Sequence, residues 1–400
     1  MGVAPPAGRR GAAALVLTLG ALSAFGPLCL DMYLPSLPEL PAALHSTAGA
    51  AQLSLSACIV GLAGGQLVAG PLSDRFGRRA PLLIGVALFT VVSALCAVVT
   101  SMPLLIVLRV LQGAGGAAGI VIGRAVVTDL YSGKAAAAYF STIAAINGMA
   151  PILAPVIGGQ VLRLGSWRLV FWVLAGIGLA ITALAAAVLR ETLPAHRRGR
   201  HGLAGTLRSF RAVLSDRRYV GYVVAGTAVM AAMFGYISTS PFVLQDGFGL
   251  SPQQFSLCFA VNALGIVSAS QVSRVLLRRS ADPVALLTAG IGQAGVGALA
   301  LLLATLFGWG LWPILVAMFV MVSAVGLVAP NSSALSMDLH REVAGAASAL
   351  YGLTQFGLAA VTSSLSGLGE PVSGHALGVT CVVAVLLAAL ALLFARRPAR

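Results

Sequence analysis

Three groups of charged side chains stand where an apolar chain has least use for charge. In the run Gly70-Pro-Leu-Ser-Asp-Arg-Phe-Gly-Arg-Arg79, one acid, Asp74, meets the cations Arg75, Arg78 and Arg79. Arg109 interrupts a second uncharged stretch, and Asp31 closes a third. The chemistry such groups can do is charge pairing and proton exchange rather than bond making. The five cysteines, Cys29, Cys58, Cys96, Cys258 and Cys381, lie in or beside apolar runs without metal-ligand spacing, and read as packing residues. The five histidines are scattered, with no HExxH pair. No nucleophile, base and metal constellation appears, so neither an enzyme, a metal site nor a cofactor is expected.

The elements that must position these charges follow from composition. Only 36 of 400 residues are Asp, Glu, Lys or Arg, and 58% are hydrophobic. The mean hydropathy is +0.96, outside the range of a soluble globular chain. A helix crossing a hydrocarbon core needs about 20 apolar residues. Residues 11–30, 40–73, 80–108, 135–162, 169–189, 219–245, 247–273, 343–369 and 371–395 carry none of those four residue types. Residues 102–127 are interrupted only by Arg109 and Arg124, and 283–337 is long enough for two spans, with a break near Gly308-Trp-Gly310. These runs predict an all-α membrane protein of twelve transmembrane helices in two six-helix halves.

The net charge of +14 does not point to nucleic acid, because the cations sit between apolar spans instead of on one soluble face. With the N-terminus inside, 22 of the 25 cations fall on the cytoplasmic side, leaving Arg163 and Arg168 outside and Arg109 within helix 4. Reversing the topology would reverse that ratio, so both termini are expected in the cytoplasm. Helix 1 reads as a retained span that also targets the chain. Eight arginines run from Arg190 to Arg218. They divide the chain into an N-terminal half, residues 1–190, a cytoplasmic linker, 191–218, and a C-terminal half, 219–400. A faint repeat supports two halves: Gln52-Leu-Ser-Leu opens helix 2 and Gln254-Phe-Ser-Leu opens helix 8, each followed by an arginine cluster.

Gly70 and Gly77 allow backbone turns, so the first charged run predicts a cytoplasmic hinge between helices 2 and 3. An ordinary positively charged loop is the alternative. In Arg109-Val-Leu-Gln-Gly-Ala-Gly-Gly-Ala-Ala118 the charge precedes small residues that let helices approach closely. A membrane Arg costs about 2.5 to 3.5 kcal/mol on insertion scales, so Arg109 either serves function or pairs structurally with backbone carbonyls. Asn147-Gly-Met-Ala-Pro-Ile-Leu-Ala-Pro-Val-Ile-Gly-Gly159 places Pro151, Pro155, Gly158 and Gly159 in helix 5. The prolines remove backbone donors, and the glycines permit a tight contact, either as a seal or as a plain kinked helix.

The run from Gly70 to Arg79 resembles the signature loop between helices 2 and 3 of the major facilitator superfamily of secondary transporters. The helix 5 segment resembles the motif that marks antiporters in that superfamily, with Ala154 where a Gly is usual. Asp31-Met-Tyr-Leu-Pro-Ser-Leu-Pro38 resembles the opening of the bicyclomycin-resistance (Bcr/CflA) type of drug:proton antiporter. Arg124-Ala-Val-Val-Thr-Asp129, Ser240-Pro-Phe-Val-Leu244 and Gly249-Leu-Ser-Pro-Gln-Gln-Phe-Ser256 fit the same branch. The resemblance implies proton-driven efflux of small drug-like molecules across a bacterial cytoplasmic membrane by a monomer. It implies a latch in which Asp74 lies near the start of helix 11, around Val343, and Arg75 or Arg78 reaches Asp129. It places Asp31 as a protonatable carboxylate with Arg109 as its electrostatic tuner; the alternative for Asp31 is a cap on the outer end of helix 1, which would shift suspicion to Glu39 or Asp129. Tyr33, Asn147, Tyr236, Asn262, Gln293, Asn331 and Gln355 either line a substrate cavity or bond helix to helix. Uptake or export of one metabolite, a phenicol-selective exporter, and a non-transporting receptor are the competing functions.

Overall fold

The computed structural model describes residues 9–131, 133–194, 210–340, 344–366 and 373–396. Those residues are almost entirely helical. The spans are Arg9–Ser23 continued by Phe25–Asp31, then Ala48–Phe76, Arg79–Val98, Met102–Leu130, Gly133–Val161, Trp167–Val188, Arg217–Pro241, Pro252–Arg278, Pro283–Leu306, Leu311–Ser323 continued by Val325–Leu339, Ala344–Leu365 and Gly374–Arg396. Among the described residues nine helices are long and apolar enough to cross a membrane, and ten with the bent first span. Gly133–Val161 and Ala344–Leu365 complete the twelve.

Local chemistry sets many helix starts. Asp216 accepts from the backbone N–H of Arg218 and Tyr219, Asp282 accepts from that of Val284 and is followed by Pro283, and Ser251 forms a reciprocal capping box with Gln254. The expected break near Gly308-Trp-Gly310 is present, with φ of 63° at Gly308 and 86° at Gly310. The expected hinge is narrower than its motif. The second span runs helically through Gly70 and Asp74 to Phe76, and only Gly77, with φ of 95°, turns the chain. Gly70 is therefore a helix-interior residue, because a left-handed step is needed at just one position to start the next span.

The first span also departs from expectation. It bends by 42° at Ala24, where Pro27 cannot donate to the carbonyl four residues back. Asp31 ends the α-helical part of the span, and a 3₁₀ turn, Leu34–Glu39, and a short helix, Leu40–Ala43, follow it. Pro35 and Pro38 sit in that turn, whose tighter winding takes residues that lack a backbone donor.

Two compact units result. One comprises residues 1–46 and 57–200, and the other 47–56 and 201–400. Within the second unit the start of the second span bonds to other helices, Ser56 Oγ donating to Ser363 Oγ at 2.9 Å and Gln52 Nε2 to Thr239 Oγ1 at 3.4 Å. The two halves of the faint repeat thus differ in use: Gln52 is buried, whereas Gln254 is the exposed member of a capping box.

Glycines set the packing of the first unit. A Cβ at Gly113 would stand 2.2 Å from the Cys58 carbonyl oxygen, and one at Gly61 would stand 2.1 Å from that of Val110, so the second and fourth spans touch backbone to backbone. Gly64, one turn along, has open space on its Cβ side. Gly113→Leu is expected to destabilise the purified protein by about 1–3 kcal/mol through overpacking, while Gly64→Leu leaves it unchanged. Thermal melting in detergent measures both, and equal melting of the two variants would refute this account.

Candidate functional site

Arg109 is completely buried (0% exposed) in the fourth span. Its Nη2 donates to the Cys29 carbonyl at 2.8 Å, and its Nη1 donates to Gln112 Oε1. Cys29 lies in the last turn of Phe25–Asp31, where helix carbonyls are left over. Gln112 lies one turn beyond Arg109 and passes the network on, Nε2 donating to Ser93 Oγ at 2.7 Å in the third span. The guanidinium carbon stands 4.7 Å from the ring centre of Tyr33 and 5.7 Å from that of Phe171. Nε has no partner among the described residues. Burial is thus offset by charge-assisted hydrogen bonds and by two aromatic faces.

Asp31 is buried too, at 5% exposed, but no hydrogen bond or ion pair joins its side chain to a described residue. Arg109 does not pair with it; the guanidinium is spent on the neutral carbonyl two residues earlier. Arg109 therefore meets the structural alternative, a backbone carbonyl, and touches Asp31 only through the chain. Gly158 of the fifth span lies against the backbone just after Asp31, where an added Cβ would stand 2.1 Å from the Met32 carbonyl oxygen. Gly159 is buried beside it, and Pro151 and Pro155 lie inside an unbroken helix.

The charges around Gly77 form one network. Arg78 Nε donates to Asp129 Oδ2 at 3.0 Å, and its Nη1 donates to Asp74 Oδ1 at 2.5 Å and Ser73 Oγ at 2.8 Å. Of the two acceptors Asp129 matters more, because its side chain is 18% exposed against 50% for Asp74. Burial works against the charged form of Arg78, but the bonds and charges of Asp129 and then Asp74 outweigh it and hold its pKa above the usual arginine value. Arg75 stacks on Phe76 instead, and Arg79 Nη2 donates to the Ala186 carbonyl at 3.0 Å. Val343, the expected neighbour of Asp74, lies outside the described residues.

Sequence reasoning missed Glu191 and Thr192. The Glu191 carboxylate accepts the backbone N–H of Arg78 at 2.8 Å and of Arg79 at 3.3 Å, capping the third span from a distant segment. Thr192 Oγ1 donates to Asp129 Oδ2 at 3.0 Å. The one signal in the sequence is a lone acid at the head of an arginine-rich stretch.

The remaining polar residues are divided. Tyr33 belongs to the Arg109 pocket. Asn262 Nδ2 donates to the Tyr236 hydroxyl at 2.7 Å, Gln293 Nε2 to Ser323 Oγ at 2.8 Å, and Asn331 Nδ2 to Ser273 Oγ at 2.8 Å. These are bonds between helices. Gln355 is half-buried, and the side chain of Asn147 lies outside the described residues.

The helical architecture agrees with comparison to known proteins. A Bacillus subtilis protein described as an uncharacterized MFS-type transporter, YdgK, is 37% identical over 93% of this chain and 94% of its own length. A bicyclomycin resistance protein homolog of Haemophilus influenzae is 29% identical over 88% of each chain. The fold resembles the crystal structure of a D-xylose-proton symporter, with a TM-score of 0.72 and 18% identity over 94% of this chain and 96% of that one. The profile of the Major Facilitator Superfamily matches residues 17–364, and this multi-pass chain belongs to that superfamily of membrane transporters.

Proposed function

We propose that the protein exports small drug-like molecules in exchange for protons, by alternating access, as a monomer in a bacterial cytoplasmic membrane with both termini inside. The observation that carries this reading is Asp31, a buried carboxyl in the first span with no ion pair among the described residues, two residues from the carbonyl that Arg109 holds. A carboxyl so placed changes charge with access to water, which is what a coupling site must do as the cavity opens to alternate sides. A proton moving down 100 mV supplies about 2.3 kcal/mol, enough for roughly a fiftyfold gradient. The relative named for bicyclomycin resistance supports a drug-like substrate, and the Gly158 contact supports a fifth span that closes tightly on the first.

Everted membrane vesicles test direction and coupling together. Drug addition is expected to dissipate an imposed proton gradient in wild-type vesicles and to leave it intact with Asp31→Asn at equal expression. Full coupling in that variant, or drug moving with the protons instead of against them, would overturn the reading. The network around Gly77 is assigned a conformational role. Arg78→Lys keeps the charge that sets topology but loses the fork that reaches two carboxylates, so transport should fall at least tenfold while equilibrium drug binding stays within twofold. Parallel loss of binding would mean that these residues hold substrate.

A further inference from the structure

The sulfur atoms of Cys29, in the first span, and Cys58, in the second, lie 3.6 Å apart. Both residues are fully buried at 0% exposed, and both thiols are free. A disulfide requires about 2.0 Å between sulfurs, so the gap to close is short. What could occupy this position is limited by space. A disulfide adds no atom and removes two hydrogens, which a closed interior can accommodate. A bridging metal would need room and further ligands, and among the described residues no group of three or more His, Cys, Asp or Glu is placed to hold one.

The two sides differ in freedom to move. The Cys58 backbone is pinned, since its carbonyl oxygen sits where a Cβ on Gly113 would collide. Cys29 lies in the seven-residue piece Phe25–Asp31, between the bend at Ala24 and the 3₁₀ turn, the least continuous part of the span. Arg109, bonded to the Cys29 carbonyl, supplies a countercharge for the thiolate through which disulfide chemistry passes. Cys381 instead contacts the Ala232 carbonyl. Neither the network around Gly77 nor the proposed proton step uses the paired thiols.

We propose that Cys29 and Cys58 form a modifiable dithiol that a membrane-permeant two-electron oxidant of the azodicarboxamide class converts to a disulfide, tying the first span to the second. When the short piece Phe25–Asp31 shifts to admit the oxidant, one thiolate adds to its N=N bond. The second thiolate then attacks the bonded sulfur, forming S–S and releasing the hydrazine, so that two S–H bonds are lost and the oxidant gains two electrons and two protons. A dithiol reductant reverses the bond by exchange, which separates it from irreversible oxidation to sulfinic or sulfonic acids.

The test counts thiols and does not depend on what is transported. Full-length protein in liposomes is treated with diamide, then denatured and labelled with a mass-tagged maleimide. The count should fall from five to three and return to five with dithiothreitol, and peptide mapping should find Cys29 joined to Cys58. Cys29→Ala and Cys58→Ala should lose no thiol on oxidation, whereas Cys258→Ser and Cys381→Ser should still lose two. Five thiols retained by the wild type, or a linkage through Cys96, would overturn the proposal. Peptide mapping of the wild type decides the matter if an alanine variant fails to accumulate.

Discussion

Arg109 has no water to turn to, and much of the first unit is arranged around that constraint. An unpaired guanidinium in the middle of a span costs about 2.5 to 3.5 kcal/mol on insertion scales. Here the charge is met by a carbonyl from the first span, an amide from its own helix and two aromatic faces, Tyr33 beyond the first span and Phe171 in the sixth. Each partner carries a structural demand. The Cys29 carbonyl is available because its helix stops two residues later, and Gln112 is oriented by Ser93 of the third span. One cation therefore ties together parts of four spans.

The ends of the spans make an unusual use of acids. Helix starts leave backbone N–H groups without partners, and the chain has only 11 acidic residues with which to meet them. Glu191 caps the third span across 113 positions, accepting from Arg78, and Glu39 caps the sixth, accepting the N–H of Trp167 at 3.2 Å across 128. A carboxylate at a helix N-terminus gains from the macrodipole as well as from the hydrogen bond. Glu191 and Asp129 thus share the work around Arg78, one holding its backbone and the other its side chain. Glu39 is accordingly engaged with the sixth span, while Asp31 remains without an ion pair among the described residues.

Polar residues inside the second unit act largely on one another. The Tyr236 and Asn262 pair, the Gln293 contact and the Asn331 contact each join two helices, the arrangement expected where association cannot rely on hydrophobicity alone. Small residues complete the packing by letting backbones approach, as at Gly326, where a Cβ would stand 2.2 Å from the Ile266 carbonyl oxygen.

Features written in short stretches of chain are legible in the sequence by itself. Span lengths follow from how few charges there are and where they fall, helix starts from Ser, Asp and Pro, and the break at Gly308 to Gly310 from residues that tolerate positive φ. The charged turn is legible as a motif, yet Gly70 stays helical within it, because a glycine permits a turn without requiring one. Asp31 ends the α-helix ahead of Pro35 and Pro38, which the following 3₁₀ turn takes up. The pairing of Arg78 with Asp129 in preference to Arg75, the cap supplied by Glu191 and the carbonyl that takes Arg109 are decided only by tertiary structure. Arg109 and Cys29 are 80 positions apart, and nothing near either residue specifies the other. Periodicity and propensity act within a few turns of chain, whereas the partner of a buried charge is chosen by which helices can approach closely enough to replace water.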